Sequence, residues 1–242
     1  YIGLTVATIL LALFVRNETY VPRAIRGGRL FGEMPGCDRQ KARNRVAEFA
    51  IFCLLTGVSA CRIAVGNDYW VYTQNFSLIS QERHVSSEIG FNAIVSFFQL
   101  FFEEGKAQYL SIFAFFSVTT VFFFVKALCD QGSNFAFSLF LLLTGGYYFN
   151  SLNSVRYYFA LALSLYAMKY VLRKEYGKFI LCILPGALIH KSILLVIPVY
   201  LVAHYLARAK LRRWHYIVGG IFLCSLIFCR KLYRELIFLF YP

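Results

Sequence analysis

Apolar runs recur along most of this chain, and they leave it few ways to fold. The first, YIGLTVATILLALFV, opens the chain; others lie roughly at 46–61, 88–102, 108–125, 134–149, 157–172, 179–190, 192–206 and 214–229. In a soluble domain polar helix faces would interrupt such runs, whereas here the polar residues fall between them. The balance of residue types agrees, with 59% hydrophobic and 15% charged against about 25% charged in a soluble domain. The reading is an all-α, polytopic membrane helical bundle, taken as one transmembrane domain over 1–242. Several runs fall short of the ~20 residues that cross a hydrocarbon core, and two of them contain Pro185 and Pro198. Short, broken or re-entrant segments are therefore expected, sheltered by protein or lining a wet cavity. The opening run lacks the basic flank and cleavage pattern of a signal peptide, and both ends read as cut or unobserved spans.

The net charge of +13 would suggest nucleic acid in a soluble protein, but its distribution argues otherwise. Residues 16–45 hold eight Lys or Arg against three acids, Lys169 to Lys178 carries +3, and ARAKLRR at 207–213 adds +4. Basic blocks beside apolar spans mark cytoplasmic loops; binding of lipid headgroups is the lesser reading. No nucleic-acid partner is expected. The seven cysteines have no metal-ligand spacing, and in apolar runs a free Cys behaves as a small hydrophobe. His84, His204 and His215 form no compact pattern with acids or cysteines, so neither a metal nor a cofactor is expected.

With 16–45 inside as a basic cytoplasmic loop, the run at 46–61 delivers 62–87 to the outer face as a loop. RKEYGK and ARAKLRR inside then place HKS, 190–192, and NSLNSVR, 150–156, outside as well. Three apolar runs between 87 and 150 cannot start and end on the same side. The 88–102 run, short and carrying Asn92, Ser96 and Gln99, is the one expected not to span.

This topology gathers Arg62, Asp68, Glu88, Arg156 and His190 near one membrane face, where an ionisable group is costly unless paired, hydrated or functional. Arg62 either snorkels toward headgroups or holds an anionic phosphate, for which its bidentate fork suits. Asp68 either closes an Asx turn after Gly66-Asn67 or orients Arg62 or a sugar hydroxyl. Tyr69, Trp70 and Tyr72 read equally as an interfacial belt or as a stacking wall for sugar rings. Glu88 caps the helix starting EIGF, pairs with an arginine, or takes a proton from an attacking hydroxyl. Arg156 opposes the usual charge bias at an outer end, which favours a phosphate- or sugar-facing role over snorkelling. His190, where two short runs meet, makes a structural hydrogen bond or belongs to a polar pocket.

The pieces RIAVGNDYWVY, SEIGFNAIVSFF, YFNSLNSVRYYFALALSLYAMKYVLRKEYGKF and ALIHKSILLVIPVY resemble, in that order, the bacterial EpsG-like and Wzy-like polysaccharide polymerases over roughly 50–200. The residues that carry the resemblance are Arg62, Gly66 and Asp68; Glu88, Gly90 and Phe91; Arg156; and His190. It implies a multi-pass protein of the bacterial plasma membrane that joins oligosaccharide repeat units at the outer face. The donor would be a glycan on a polyprenyl pyrophosphate, and the acceptor a second lipid-linked repeat unit. A chain-length regulator and other envelope-polysaccharide assembly proteins would be its partners. The lack of a metal-ligand pattern favours metal-independent transfer, with no cofactor. Arg62 and Arg156 would hold the pyrophosphate; His190 would share that task or accept the acceptor proton, and Asp68 and Glu88 would organise the arginines or hydrogen-bond sugar hydroxyls. The alternatives are a transporter of polysaccharide or lipid-linked oligosaccharide, against which the lack of an internal repeat counts, and a membrane O-acyltransferase using His190.

Overall fold

The computed structural model describes residues 1–15, 35–81, 83, 85 and 87–208. The basic stretch 16–34, most of 207–213 and the apolar run 214–229 lie outside the described residues, as do His84 and His215. The described elements are α1 (Ile2–Ala12), α2 (Pro35–Ala60), α3 (Tyr69–Ser80), α4 (Ile89–Gln99), α5 (Lys106–Gln131), α6 (Phe135–Thr144), α7 (Tyr147–Ser151), α8 (Val155–Leu172), α9 (Tyr176–Ala187), a 3-10 helix η1 (Lys191–Leu195) and α10 (Val196–Arg208). The fold is all-α, with no strand among the described residues. Tyr1–Pro198 forms one compact unit; the described chain beyond it, the remainder of α10, is considered by itself.

The unit is organised around α5. Its 26 residues rise roughly 39 Å, and among the described residues it is the one helix long and apolar enough to cross a membrane. It packs most extensively on α8 and also on α2, α4 and α6. Toward its C-terminal half, Val121 and Phe124 meet Ile51 and Leu55 of α2, Leu139 and Leu143 of α6, and Ala162 of α8. Tyr148 enters this apolar cluster and resolves its polar end by donating from Oη to the Leu55 carbonyl at 2.7 Å. Toward the N-terminal half the packing is aromatic. Phe113 stacks on Tyr69 at 5.2 Å and meets Phe76 at 5.6 Å, while Phe116 meets Phe91 at 5.5 Å and Phe159 at 6.0 Å. Such pairs add about 0.5–1.5 kcal/mol each beyond burial, which makes this cluster a firm floor for whatever lies above it.

The apolar runs and the helices do not coincide everywhere. The stretch 62–87, expected as a loop, contains α3: Tyr69, Tyr72 and Phe76 stand at i, i+3 and i+7, one buried helical stripe. Trp70 of the same set turns outward, 66% exposed, so the three aromatics are not one belt or one wall. Within 134–149 the helix stops at Gly145, and Gly146 at φ +78° lets the chain turn into α7. The two runs that contain Pro185 and Pro198, expected as a broken pair, are α9, a turn at 188–190, and η1 leading into α10; both prolines lie inside helices and the break falls between them. Helices α1, α4, α6 and α9 have 10 to 12 residues, roughly 15–18 Å, against a hydrocarbon core of about 30 Å.

Large apolar side chains remain on the outside of most of these helices, among them Phe49, Phe122, Phe137, Leu141, Leu181 and Leu184. A water-facing surface of this kind would aggregate. Lipid solvates it without cost, and the surface is consistent with a membrane-associated protein.

Candidate active site

The candidate residues converge on the start of α8. The turn 152–154 leading into that helix is met by the connection between α2 and α3, which carries Arg62, Gly66 and Asp68. Gly66 lies at φ +90°, and a Cβ there would stand 2.9 Å from Asn153 Oδ1 and from the Leu152 carbonyl. Only a glycine permits both that backbone conformation and that approach. Just beyond it, the Asp68 amide donates to Asn153 Oδ1 at 3.1 Å, and the Asp68 carboxylate accepts from Ser154 Oγ at 2.8 Å and Asn153 Nδ2 at 3.4 Å. Asp68 is the N-cap position of α3 yet makes no side-chain cap there. Its carboxylate instead ties α3 to the first turn of α8, two residues before Arg156. The expectation that Asp68 orients Arg62 does not hold directly: it orients the segment that presents Arg156.

Arg62 does not snorkel. Its side chain turns inward and is 5% exposed. Nη1 donates to the Ser151 carbonyl at 3.3 Å, and Cζ sits 4.7 Å from the centroid of the Phe113 ring. Nε has no hydrogen-bond partner. Burial pulls the Arg62 pKa down to about 10, with the nearby hydroxyls of Tyr72, Tyr148 and Tyr69 opposing the fall. The guanidinium therefore stays charged at neutral pH, with no carboxylate to neutralise it among the described residues.

The second group is built where α4 begins against the end of α9. The Gly90 amide donates to the Leu188 carbonyl at 2.8 Å, and a Cβ at Gly90 would fall 2.7 Å from both the Leu188 Cβ and its carbonyl oxygen. This close approach sets Glu88 opposite the turn after α9. Glu88 is the N-cap position of α4 but does not cap it. Its carboxylate turns across to Arg156, with Oε2 2.6 Å from Nη1, while Oε1 accepts from the Lys191 amide at 3.3 Å and lies 3.4 Å from His190 Nδ1. The His190 contact lacks hydrogen-bonding alignment, and both His190 Nδ1 and Arg156 Nε are left without a partner. Burial lowers the pKa of His190, in the turn between α9 and η1, with the Glu88 carboxylate opposing, and so favours the uncharged ring.

The two groups share a wall. The Arg156 guanidinium lies 5.1 Å from the Phe91 ring and 5.9 Å from the Tyr72 ring, and Tyr72 in turn meets Phe113, on which Arg62 rests. Tyr72 and Phe113 thus stand between the two arginines. The site residues that sequence reasoning missed are Ser151, Asn153, Ser154 and Phe113. Ser154 had a usable signal, since a serine just before the apolar-periodic run VRYYFALALS marks a helix start. Phe113 had none, being one of 26 phenylalanines.

A separate cavity of about 630 Å³ lies toward the other end of α5, lined by residues including Lys41, Arg45, Glu48, Lys126 and Asp130. It contains none of the candidate site residues. Among the described residues, no group of three or more His, Cys, Asp or Glu is placed to hold a metal ion.

Comparison with known proteins bears on the whole of this arrangement. The model of the EpsG family matches residues 46–242, which include every residue of both groups. No curated protein and no solved structure matches the chain.

Proposed function

The chain belongs to the EpsG family, and from that membership we propose that it is a polysaccharide polymerase, a multi-pass protein of the bacterial plasma membrane whose site faces outward. The donor is a glycan carried on a polyprenyl diphosphate, and the acceptor is a lipid-linked repeat unit. A hydroxyl oxygen of the acceptor forms a bond to the anomeric carbon of the donor glycan. The bond from that carbon to the diphosphate oxygen breaks, and the lipid diphosphate leaves with the electron pair. The proton of the attacking hydroxyl passes to His190 or to solvent.

The observation that carries this reading is Arg62, buried with no carboxylate beside it among the described residues. A guanidinium taken out of water without a counter-ion costs several kcal/mol, and a fold retains one where an anion is to be received. Its neighbour across Tyr72 is a second arginine. Two such cations suit a diphosphate, and their attraction grows as negative charge develops on the leaving oxygen, so they favour the transition state over the bound donor. Asp68 holds the start of α8, and with it Arg156, in position. The donor is already activated by its diphosphate, so no strong base is required and His190 suffices as a proton acceptor.

The test is reconstitution in liposomes with lipid-linked repeat units from the host. The protein should build a ladder of glycan lengths, and Arg156→Ala, shown to be folded and inserted, should lose it by 100-fold or more, about 3 kcal/mol of transition-state stabilisation. Movement of intact lipid-linked substrate between leaflets with no ladder would assign the site to transport, a reading to which the broken pair α9–η1 beside His190 lends some support.

A further inference from the structure

The Glu88 carboxylate is surrounded as a bound anion would be. Donors reach it from two places in the chain, Arg156 on α8 and the backbone amide of Lys191 at the head of η1, and the ring of His190 in the turn after α9 lies 3.4 Å away without hydrogen-bonding alignment. The arrangement leaves polar atoms unmatched: the two carboxylate oxygens take up Arg156 Nη1 and the Lys191 amide, while Arg156 Nε and His190 Nδ1 are left without a partner. Buried polar atoms without partners are costly, and a finished structural ion pair would not leave two of them beside it. A larger anion with more oxygens, such as a diphosphate, can meet them all.

Glu88 is also free to leave. It lies in extended conformation just ahead of α4, and its side chain caps nothing in that helix. The start of α4 is anchored independently, through the Gly90 amide and the Leu188 carbonyl. Rotating the Glu88 side chain therefore need not move the helix. The pair is accessible from outside, with side-chain exposures of 23% for Arg156 and 17% for Glu88.

We propose that Glu88 is an internal stand-in for a phosphoryl group: its carboxylate fills the anion cradle of Arg156, His190 and the Lys191 amide, and an incoming diphosphate displaces it. The inference rests on reading the site as a diphosphate site and adds to it a resting state in which Arg156 is occupied. Glu88 is then neither base nor cap. It keeps the cradle charge-balanced while no substrate is bound and sets a threshold that weakly binding anions do not pass. A ligand that must displace an internal competitor binds more weakly, in proportion to the fraction of time the cradle is open.

Binding of inorganic pyrophosphate to the protein in lipid nanodiscs, measured by titration calorimetry, tests this. Glu88→Gln should bind about tenfold more tightly than wild type, which corresponds to a cradle filled about nine-tenths of the time. Glu103→Gln, an exposed acid outside the site, should stay within about twofold and so measures the effect of charge alone. Unchanged or weaker binding by a folded Glu88→Gln would overturn the proposal and make Glu88 a residue that positions Arg156. Should Glu88→Gln fail to fold, Glu88→Asp decides. Its carboxylate is one methylene further back, so tighter binding supports displacement and equal or weaker binding overturns it. Pyrophosphate binding that survives Arg62→Ala and Arg156→Ala would instead sink the diphosphate reading itself, and the stand-in with it.

Discussion

Gly66 shows how much of the site rests on a residue with no functional group. Its backbone lies at φ +90°, and the position a Cβ would take is filled by Asn153 and Leu152. Gly66→Ala should therefore destabilise the protein by about 1–3 kcal/mol. It should also lower polymerisation disproportionately, because the contact it pushes apart holds Asp68 against Ser154 and Asn153. Thermal unfolding in detergent and the glycan ladder measure the two effects separately; a stability loss with full activity would show that the Asp68 tie is not needed for the site. The glycine was legible in the sequence as part of the resemblance, and Asp68 as a candidate. That Asp68 serves α8 rather than Arg62 was not legible. The Asn153 and Ser154 that claim it are 85 and 86 residues away, and no local pattern encodes so distant a partner.

At the scale of the element, helix periodicity explains both a success and an omission. The stripe of Tyr69, Tyr72 and Phe76 was present in the sequence at helical spacing, but the polar residues around it read as an outer-face loop. Packing against Phe113 is what makes the stripe a buried face. The pairing of α5 with α8 has a comparable polar anchor at its other end. Asp130 accepts from Lys126 one turn earlier and from Lys169 on α8, each at 2.8 Å, and Lys169 lies 3.6 Å from the Tyr166 ring. Asp130→Ala leaves Lys169, 9% exposed, without its carboxylate. The cost should be about 1–3 kcal/mol, between the exposed and buried limits for an ion pair, and it should appear as a lower melting temperature with pyrophosphate binding unchanged. Loss of that binding in a folded variant would mean that the two ends of α5 are coupled.

For the molecule as a whole, the apolar exterior predicts how it behaves in cells. The chain should stay in the membrane fraction through alkaline carbonate washing and enter solution only with detergent, because its exposed Phe, Leu and Val side chains require lipid. Release by carbonate would count against embedding, despite the length and apolarity of α5. What the sequence by itself determined is the apolar character and the secondary-structure class: all-helical, built from apolar runs, with a broken pair expected in the runs that carry the two prolines. These follow from the intrinsic preferences of short stretches, in which each residue carries its own propensity and hydropathy. The sequence also singled out Arg62, Asp68, Glu88, Arg156 and His190, since charges in apolar surroundings are conspicuous wherever they occur. Only the tertiary structure decided which charge answers which. Among the described residues it left Arg62 without a carboxylate, turned Asp68 to the start of α8, and set Glu88 between Arg156 and the turn at His190. Pairing depends on which helix ends meet in space, and that is settled by side-chain packing across α3, α4, α5 and α8 together.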